Sequence, residues 1–140
     1  MQLRCTRNNS KGLDEITKDH LSKYIRVDNH ESYLEVGQSY AVFGIKYLDN
    51  RPWYYVYEEH DDPFPKIKPS CFFEIIDHAV DPSWRVAPKT AGGSGLIFDL
   101  LPREWLEDKF FYERLVDGEP FYEEAMSKIR ERFESSLKST

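Results

Sequence analysis

The chain is poor in the residues from which most recognisable catalytic centres are built. It carries two cysteines, Cys5 and Cys71, and four histidines, His20, His30, His60 and His78, in 140 residues. Two cysteines cannot form a structural zinc site by themselves, and no histidine stands three or four residues from another, so a helical metal pair is excluded. Cys5 lies in a polar stretch and Cys71 in an apolar one, which suits two reduced thiols and a cytosolic protein. Lys and Arg never run together for more than two residues, and the balance is acidic: 19 against 25, net −6, pI about 5.2. That sign argues against nonspecific binding to a phosphate backbone. No segment approaches the roughly 20 apolar residues of a membrane span. The stretch MQLRCTRNNSK has no apolar signal region. These gaps point to a soluble, cytoplasmic protein without cofactor, metal, membrane or nucleic-acid partner.

What the chain does have is aromatic carbon, with nine Phe, nine Tyr and three Trp. A length of 140 residues suits one domain over 1–140, burying roughly 68% of the surface its unfolded form exposes. Residues 1–12 are polar and slightly basic, and are expected to be mobile. Leu13, Ile16, His20, Leu21 and Tyr24 recur at helical spacing and predict a short helix, although Lys23–Val27 would also suit the start of a strand. The clearest element is an aromatic hairpin between Tyr40 and Glu58. With a five-residue loop from Leu48 to Pro52, Tyr47 pairs with Trp53, Ile45 with Tyr55 and Phe43 with Tyr57, on one core-facing side. A two-residue Asp49-Asn50 turn is the alternative. The longer loop is preferred because Pro52 cannot donate to a ladder.

Beyond the hairpin, Asp62–Ser70 contains Pro63, Pro65 and Pro69 and reads as an extended connector. Cys71–Ile76 is an expected strand with Cys71, Phe73 and Ile75 opposite Glu74. Ser83–Val86 and Leu96–Leu101 are further strands. Pro102 suits a first helical position. Arg103–Val116 then makes one bent helix or two short ones, closed by Asp117-Gly118. Glu119 to about Ser136 is the best helix, with Tyr122, Ala125, Met126, Ile129 and Phe133 on one stripe. Strands followed by helices predict an α+β fold, a mainly antiparallel twisted sheet with C-terminal helices packed on one face.

The chemistry-bearing candidates fail on context. Ala91-Gly92-Gly93-Ser94-Gly95 leads into a strand and not a helix, so neither a phosphate loop nor a dinucleotide loop fits. Leu96 stands where a nucleophile elbow needs its second glycine. Glu74, Asp77 and His78 lack any adjacent nucleophile or oxyanion donor, which leaves them a strand edge and a turn. Trp53, Trp84 and Trp105 read as core anchors first and as partner anchors second. Exposed Tyr54 and Phe72 on a twisted sheet would stack bases, but the neighbouring carboxylates deny nucleic acid an electrostatic groove.

The runs Gly37–Ile45, Arg51–Val56, Cys71–Asp77 with Trp84, Leu101–Trp105 and Phe111–Gly118 together resemble small acidic bacterial immunity proteins of contact-dependent growth-inhibition and polymorphic toxin systems. The resemblance spans about residues 34–118. It implies a cytosolic, non-enzymatic protein that binds and neutralises one cognate toxin domain, often a nuclease with a basic cleft. The resemblance itself carries over no binding residue.

The charge pattern supplies the candidate site independently. The hairpin runs into Glu58-Glu59-His60-Asp61-Asp62, four carboxylates in five residues. An acidic surface raises encounter rates with a basic partner and suppresses wrong ones. The expected partner-facing residues are therefore Glu58, Glu59, Asp61 and Asp62, with Phe64 and Trp53 as nearby anchors. A general interaction or accessory module is the alternative reading, and a small-ligand binder or enzyme near Gly92–Gly95 the third.

Overall fold

The computed structural model describes residues 1–25, 32–90 and 96–138. Two antiparallel sheets carry the fold, in an α+β arrangement. The smaller has three strands in the order β2 (Ser39–Ala41), β1 (Gln2–Cys5), β6 (Phe73–Asp77). The larger has five, in the order β5 (Lys66–Pro69), β4 (Arg51–Val56), β3 (Gly44–Leu48), β8 (Leu96–Pro102), β7 (Trp84–Thr90). Helix α1 (Glu15–Ser22) joins the two halves of the small sheet, and α2 (Arg103–Glu107), α3 (Phe111–Val116) and α4 (Pro120–Lys138) follow the last strand.

Successive strand residues point to opposite faces, and β4 uses both for packing. The Tyr54 ring meets Phe73 of the small sheet, with centroids 6.0 Å apart. Its neighbour Tyr55 meets Trp105 of α2 at 4.9 Å and Tyr112 of α3 at 5.3 Å. Phe43, in the crossing between β2 and β3, stacks on Phe133 of α4 at 4.9 Å. The centre of β4 is thus covered on both faces, and Trp53 to Tyr57 are all buried. Each such large side chain contributes about 1.5–3 kcal/mol by leaving water.

The hairpin closes through Asp49-Asn50 and not through the longer loop. Leu48 pairs with Arg51, Tyr47 with Pro52, Lys46 with Trp53 and Gly44 with Tyr55. Both turn residues have positive φ, 49° and 62°, the backbone of a type I′ turn, which Asp and Asn tolerate best among non-glycine residues. Pro52 is accommodated because it occupies a non-hydrogen-bonded position opposite Tyr47. Its missing N–H would point away from β3, and the β5 ladder reaches only as far as Trp53↔Pro69. The one-residue change in register moves Trp53 and Tyr55 to the face of Lys46 and Gly44, away from Ile45 and Tyr47.

Residues 1–12 were expected to be mobile, yet β1 is the central strand of the small sheet, with Leu3 and Cys5 among its most buried residues. The alternation Leu3, Arg4, Cys5 is short, but it is paired on both sides. The first predicted helix forms over fewer residues, opened by Asp14, whose Oδ1 accepts the Thr17 N–H at 2.7 Å. Its two turns bury His20 and Leu21 and leave Ile16 73% exposed. Cys71 falls in a one-turn 3₁₀ segment, Ser70–Phe72, before β6. On β6 itself Glu74, Ile75 and Ile76 are all exposed, because the strand is an edge. The Arg103–Val116 segment forms two short helices. Gly118, at φ 79°, turns the chain into α4. There Tyr122, Met126, Ile129 and Phe133 are buried and Ala125 packs beside them, along the predicted stripe.

Candidate functional site

The chain leaves β4 at Val56 and turns over residues 57–62, where the four predicted carboxylates take different roles. Glu58 turns inward: its side chain is 5% exposed and ion-paired with Lys68 of β5. It also accepts the Tyr33 N–H at 2.8 Å and the Ser32 hydroxyl at 3.2 Å. Burial opposes its ionisation, but Lys68 and these donors together hold its carboxyl below the ordinary range. Glu59 and Asp61 are exposed. Asp62 is half-buried and caps the turn, with Oδ2 accepting the Glu59 N–H at 3.1 Å. Glu58 is therefore corrected from a partner-facing charge to a fold-bearing one. Trp53, fully buried, is likewise corrected from a partner anchor. Its indole N–H donates to His20 Nε2 at 3.0 Å, which fills its polar requirement inside the core. Phe64 is half-buried against Tyr112, with ring centroids 6.2 Å apart.

Below this turn lies a polar cleft of about 220 Å³ between β2, the turn and α4. Ser39 and Ala41 form one wall, Tyr57, Glu58 and His60 the other, and Arg130 and Glu134 of α4 close it. Arg130 ties helix to turn. It donates to the His60 carbonyl at 2.8 Å and to Glu134 at 2.9 Å, and its guanidinium lies 3.9 Å over the Tyr57 ring. Burial pushes the Tyr57 hydroxyl up to about 12 despite that cation. Lys68 and Arg130 thus offset Glu58 and Glu134, the two carboxylates that line the cleft, while Glu59 and Asp61 are exposed in the turn on either side of His60.

A second acidic surface lies on the helices, and the local reading of the hairpin missed it. Between residues 103 and 124, Glu104, Glu107, Asp108, Glu113, Asp117, Glu119, Glu123 and Glu124 stand against only Arg103, Lys109 and Arg114. This short segment accounts for five of the chain's net six negative charges. Glu104 is taken up by a fork to Arg132, at 2.8 and 3.2 Å, which clamps α2 to α4. Asp108 accepts the Tyr122 hydroxyl at 2.6 Å. Glu107, Glu113, Asp117, Glu119 and Glu124 remain exposed in the same segment as Phe121, itself 73% exposed and packed edge-on against Tyr122. Arg114 bridges this surface, lying over both the exposed Phe110 and Tyr122. A charge count over a sliding window would have found the segment.

The remaining candidates resolve into structure. Glu74 bonds Arg4 at 2.9 Å, and Asp77 accepts the Ala79 N–H at 2.9 Å in the turn after β6. Tyr54 and Phe72, the imagined base-stacking platform, are both buried. The glycine-rich loop Ala91–Gly95 lies outside the described residues, as does His30. Beside β8 a cleft of about 280 Å³ is bordered by Tyr47, Asn50, Ile97 and Phe98, with no carboxylate, imidazole or cation among those described. Among the described residues no three His, Cys, Asp or Glu side chains are grouped to hold a metal, and no helix is long and apolar enough to cross a membrane. Comparison with protein-family models, with curated proteins and with solved structures gives no match.

Proposed function

We propose that this chain is a non-enzymatic immunity protein that binds a cognate bacterial toxin domain through a basic surface of that toxin and neutralises it in the cytoplasm. The observation that carries this reading is the concentration of negative charge between residues 103 and 124, a segment that also holds the exposed Phe121. An exposed aromatic ring in an acidic segment suits a partner that offers an apolar recess among lysines and arginines. The acidic turn at Glu59 and Asp61 adds a second patch. Phe121 and Glu134 are thirteen positions apart on one helix, so α4 spaces the two patches by about 20 Å along its axis.

The test is to ask whether the neighbouring gene encodes a secreted protein with a C-terminal toxin domain and to co-express that domain with this chain, followed by co-purification and a growth-protection assay. The proposal expects a complex whose association rate falls steeply with added salt, and cells that survive the toxin. Phe121→Ser should weaken the complex by about tenfold or more while leaving the fold intact. A chain that neither co-purifies nor protects is not the immunity partner of that toxin.

A further inference from the structure

Strand β2 is an edge of the small sheet, paired only with β1. Its ladder bonds fall at alternate residues. Cys5 donates to the Gln38 carbonyl at 2.9 Å and Val42 to the Met1 carbonyl at 3.2 Å, with Leu3 opposite Tyr40 between them. The intervening residues Ser39 and Ala41, opposite Arg4 and Gln2, are the non-hydrogen-bonded positions, so their N–H and C=O groups point away from β1. Two residues further on, the Phe43 N–H points to that same side and reaches the Tyr55 carbonyl of β4 at 2.9 Å. Past Tyr55 the chain diverges from β2 into the acidic turn, and the outward groups of Ser39 and Ala41 have no hydrogen-bond partner among the described residues. Both residues line the 220 Å³ cleft that this divergence opens.

Resting on the partner-binding reading above, we propose that this cleft receives an extended basic segment of the partner, which adds as a strand to the free edge of β2. An unpaired strand edge is a template for another chain, and main-chain bonds to it supply affinity whatever the side chains are. Side chains decide which segment enters. Glu58 is matched by Lys68 and Glu134 by Arg130, so the sign is set by Glu59 and Asp61, exposed in the turn on either side of the cleft-lining His60, and they favour lysine or arginine in the incoming strand. The β5 edge offers a poorer template: it carries Lys66 and Lys68, and Pro69 has no N–H to donate.

Amide exchange resolved by residue tests this without a variant. The probes are short synthetic peptides alternating lysine with valine, with a glutamate–valine peptide as the charge control. Saturating lysine–valine peptide should slow exchange at Ser39 and Ala41. Tyr40, whose amide lies on the β1 side, should stay unchanged, and the glutamate peptide should have no effect. Ala41→Pro deletes one outward N–H and no ladder bond, so it should weaken the basic peptide by about tenfold or more with the circular dichroism preserved. Ser39→Pro serves the same purpose if Ala41→Pro fails to fold. Unchanged exchange at Ser39 and Ala41, or protection confined to another edge, overturns the proposal. So does a self-associated wild type that Ala41→Pro converts to monomer, because the edge then belongs to a second copy. If the peptide docks on β2 but the toxin domain does not co-purify, the strand-addition site stands and the immunity reading falls. If the toxin binds Ala41→Pro and Ser39→Pro as tightly as wild type, the immunity reading stands and the strand-addition site falls.

Discussion

The indole N–H of Trp53 donates to Nε2 of His20 across 3.0 Å, and both side chains are buried. The bond fixes the imidazole in its neutral form with the proton on Nδ1, which faces Asp49 Oδ2 at 3.9 Å. Tyr24 packs edge-on against Trp53 and donates its hydroxyl to Asp49 at 2.7 Å, completing the cluster that holds α1 on the hairpin.

This cluster predicts an acid-sensitive α1. Burial, followed by the nearby Arg51 and Lys23, lowers the His20 pKa, and Asp49 opposes them only in part. The unfolded chain therefore binds the proton more readily near neutrality. The His20 contribution is fully present above about pH 6.5 and is lost as pH falls through the lower folded value. Urea melts followed by Trp fluorescence should show stability declining as pH falls below about 6.5. His20→Gln, which keeps an acceptor for the indole but cannot titrate, should flatten that slope. A decline of equal size in the variant would remove His20 as its cause.

The acidic turn should separate into two kinds of residue. Glu58→Ala leaves the half-buried Lys68 without its carboxylate and removes the acceptor of the Tyr33 N–H, so it should cost about 1–3 kcal/mol in a urea titration. Reversing Glu59 and Asp61 together to lysine should change stability by less than about 0.5 kcal/mol. The same double variant should slow association with the toxin domain and flatten its salt dependence. A reversal of all four carboxylates confuses these effects, because it also unseats Glu58.

The hairpin turn should respond to backbone preference alone. Asn50 sits at φ 62°, where a β-branched residue is strained, so Asn50→Val should destabilise by about 1–2 kcal/mol. Asn50→Gly should hold or raise the thermal midpoint, since Asp-Gly suits a type I′ turn. Differential scanning calorimetry of the two variants gives the comparison directly.

Gly44 tests the closeness of β3 to β8. A Cβ there would stand 3.1 Å from the Leu100 carbonyl oxygen, 3.2 Å from Leu101 Cδ2 and 3.3 Å from Tyr55 Cδ2. A side chain can yield a few tenths of an ångström, but the ladder carbonyl cannot without moving its strand. Gly44→Ala should therefore cost about 1–3 kcal/mol, with fluorescence reporting a lower urea midpoint and an unchanged slope.

Elements defined by their own periodicity were legible in the sequence. The α4 stripe from Tyr122 to Phe133 and the apolar run of β8 carry their signal within a dozen residues, and both lie where predicted. Features that depend on distant partners were not. Glu58 reads as a surface charge until Lys68 and the Tyr33 amide are brought to it. Strand β1 has only Leu3 and Cys5 as an apolar pattern, and it becomes a strand because β2 and β6 flank it. The hairpin register turned on whether Pro52 must lie outside a ladder, which local sequence leaves open and the end of β5 decides.

The pairing of Leu3 with both Tyr40 and Ile75 has a consequence for how the molecule forms. The large sheet can begin from the tight Asp49-Asn50 hairpin, whose strands are neighbours in the chain. The small sheet must instead close a loop of nearly seventy residues, from Cys5 to Phe73, before β1 gains its second partner, a slow step because the ordering entropy comes before the contact energy. On a ribosome adding about 5–20 residues per second, the Leu3 segment waits several seconds for β6. During that interval Leu3 and Cys5 lack the strand that covers their second edge, which makes this segment one that needs protection from aggregation while the chain lengthens.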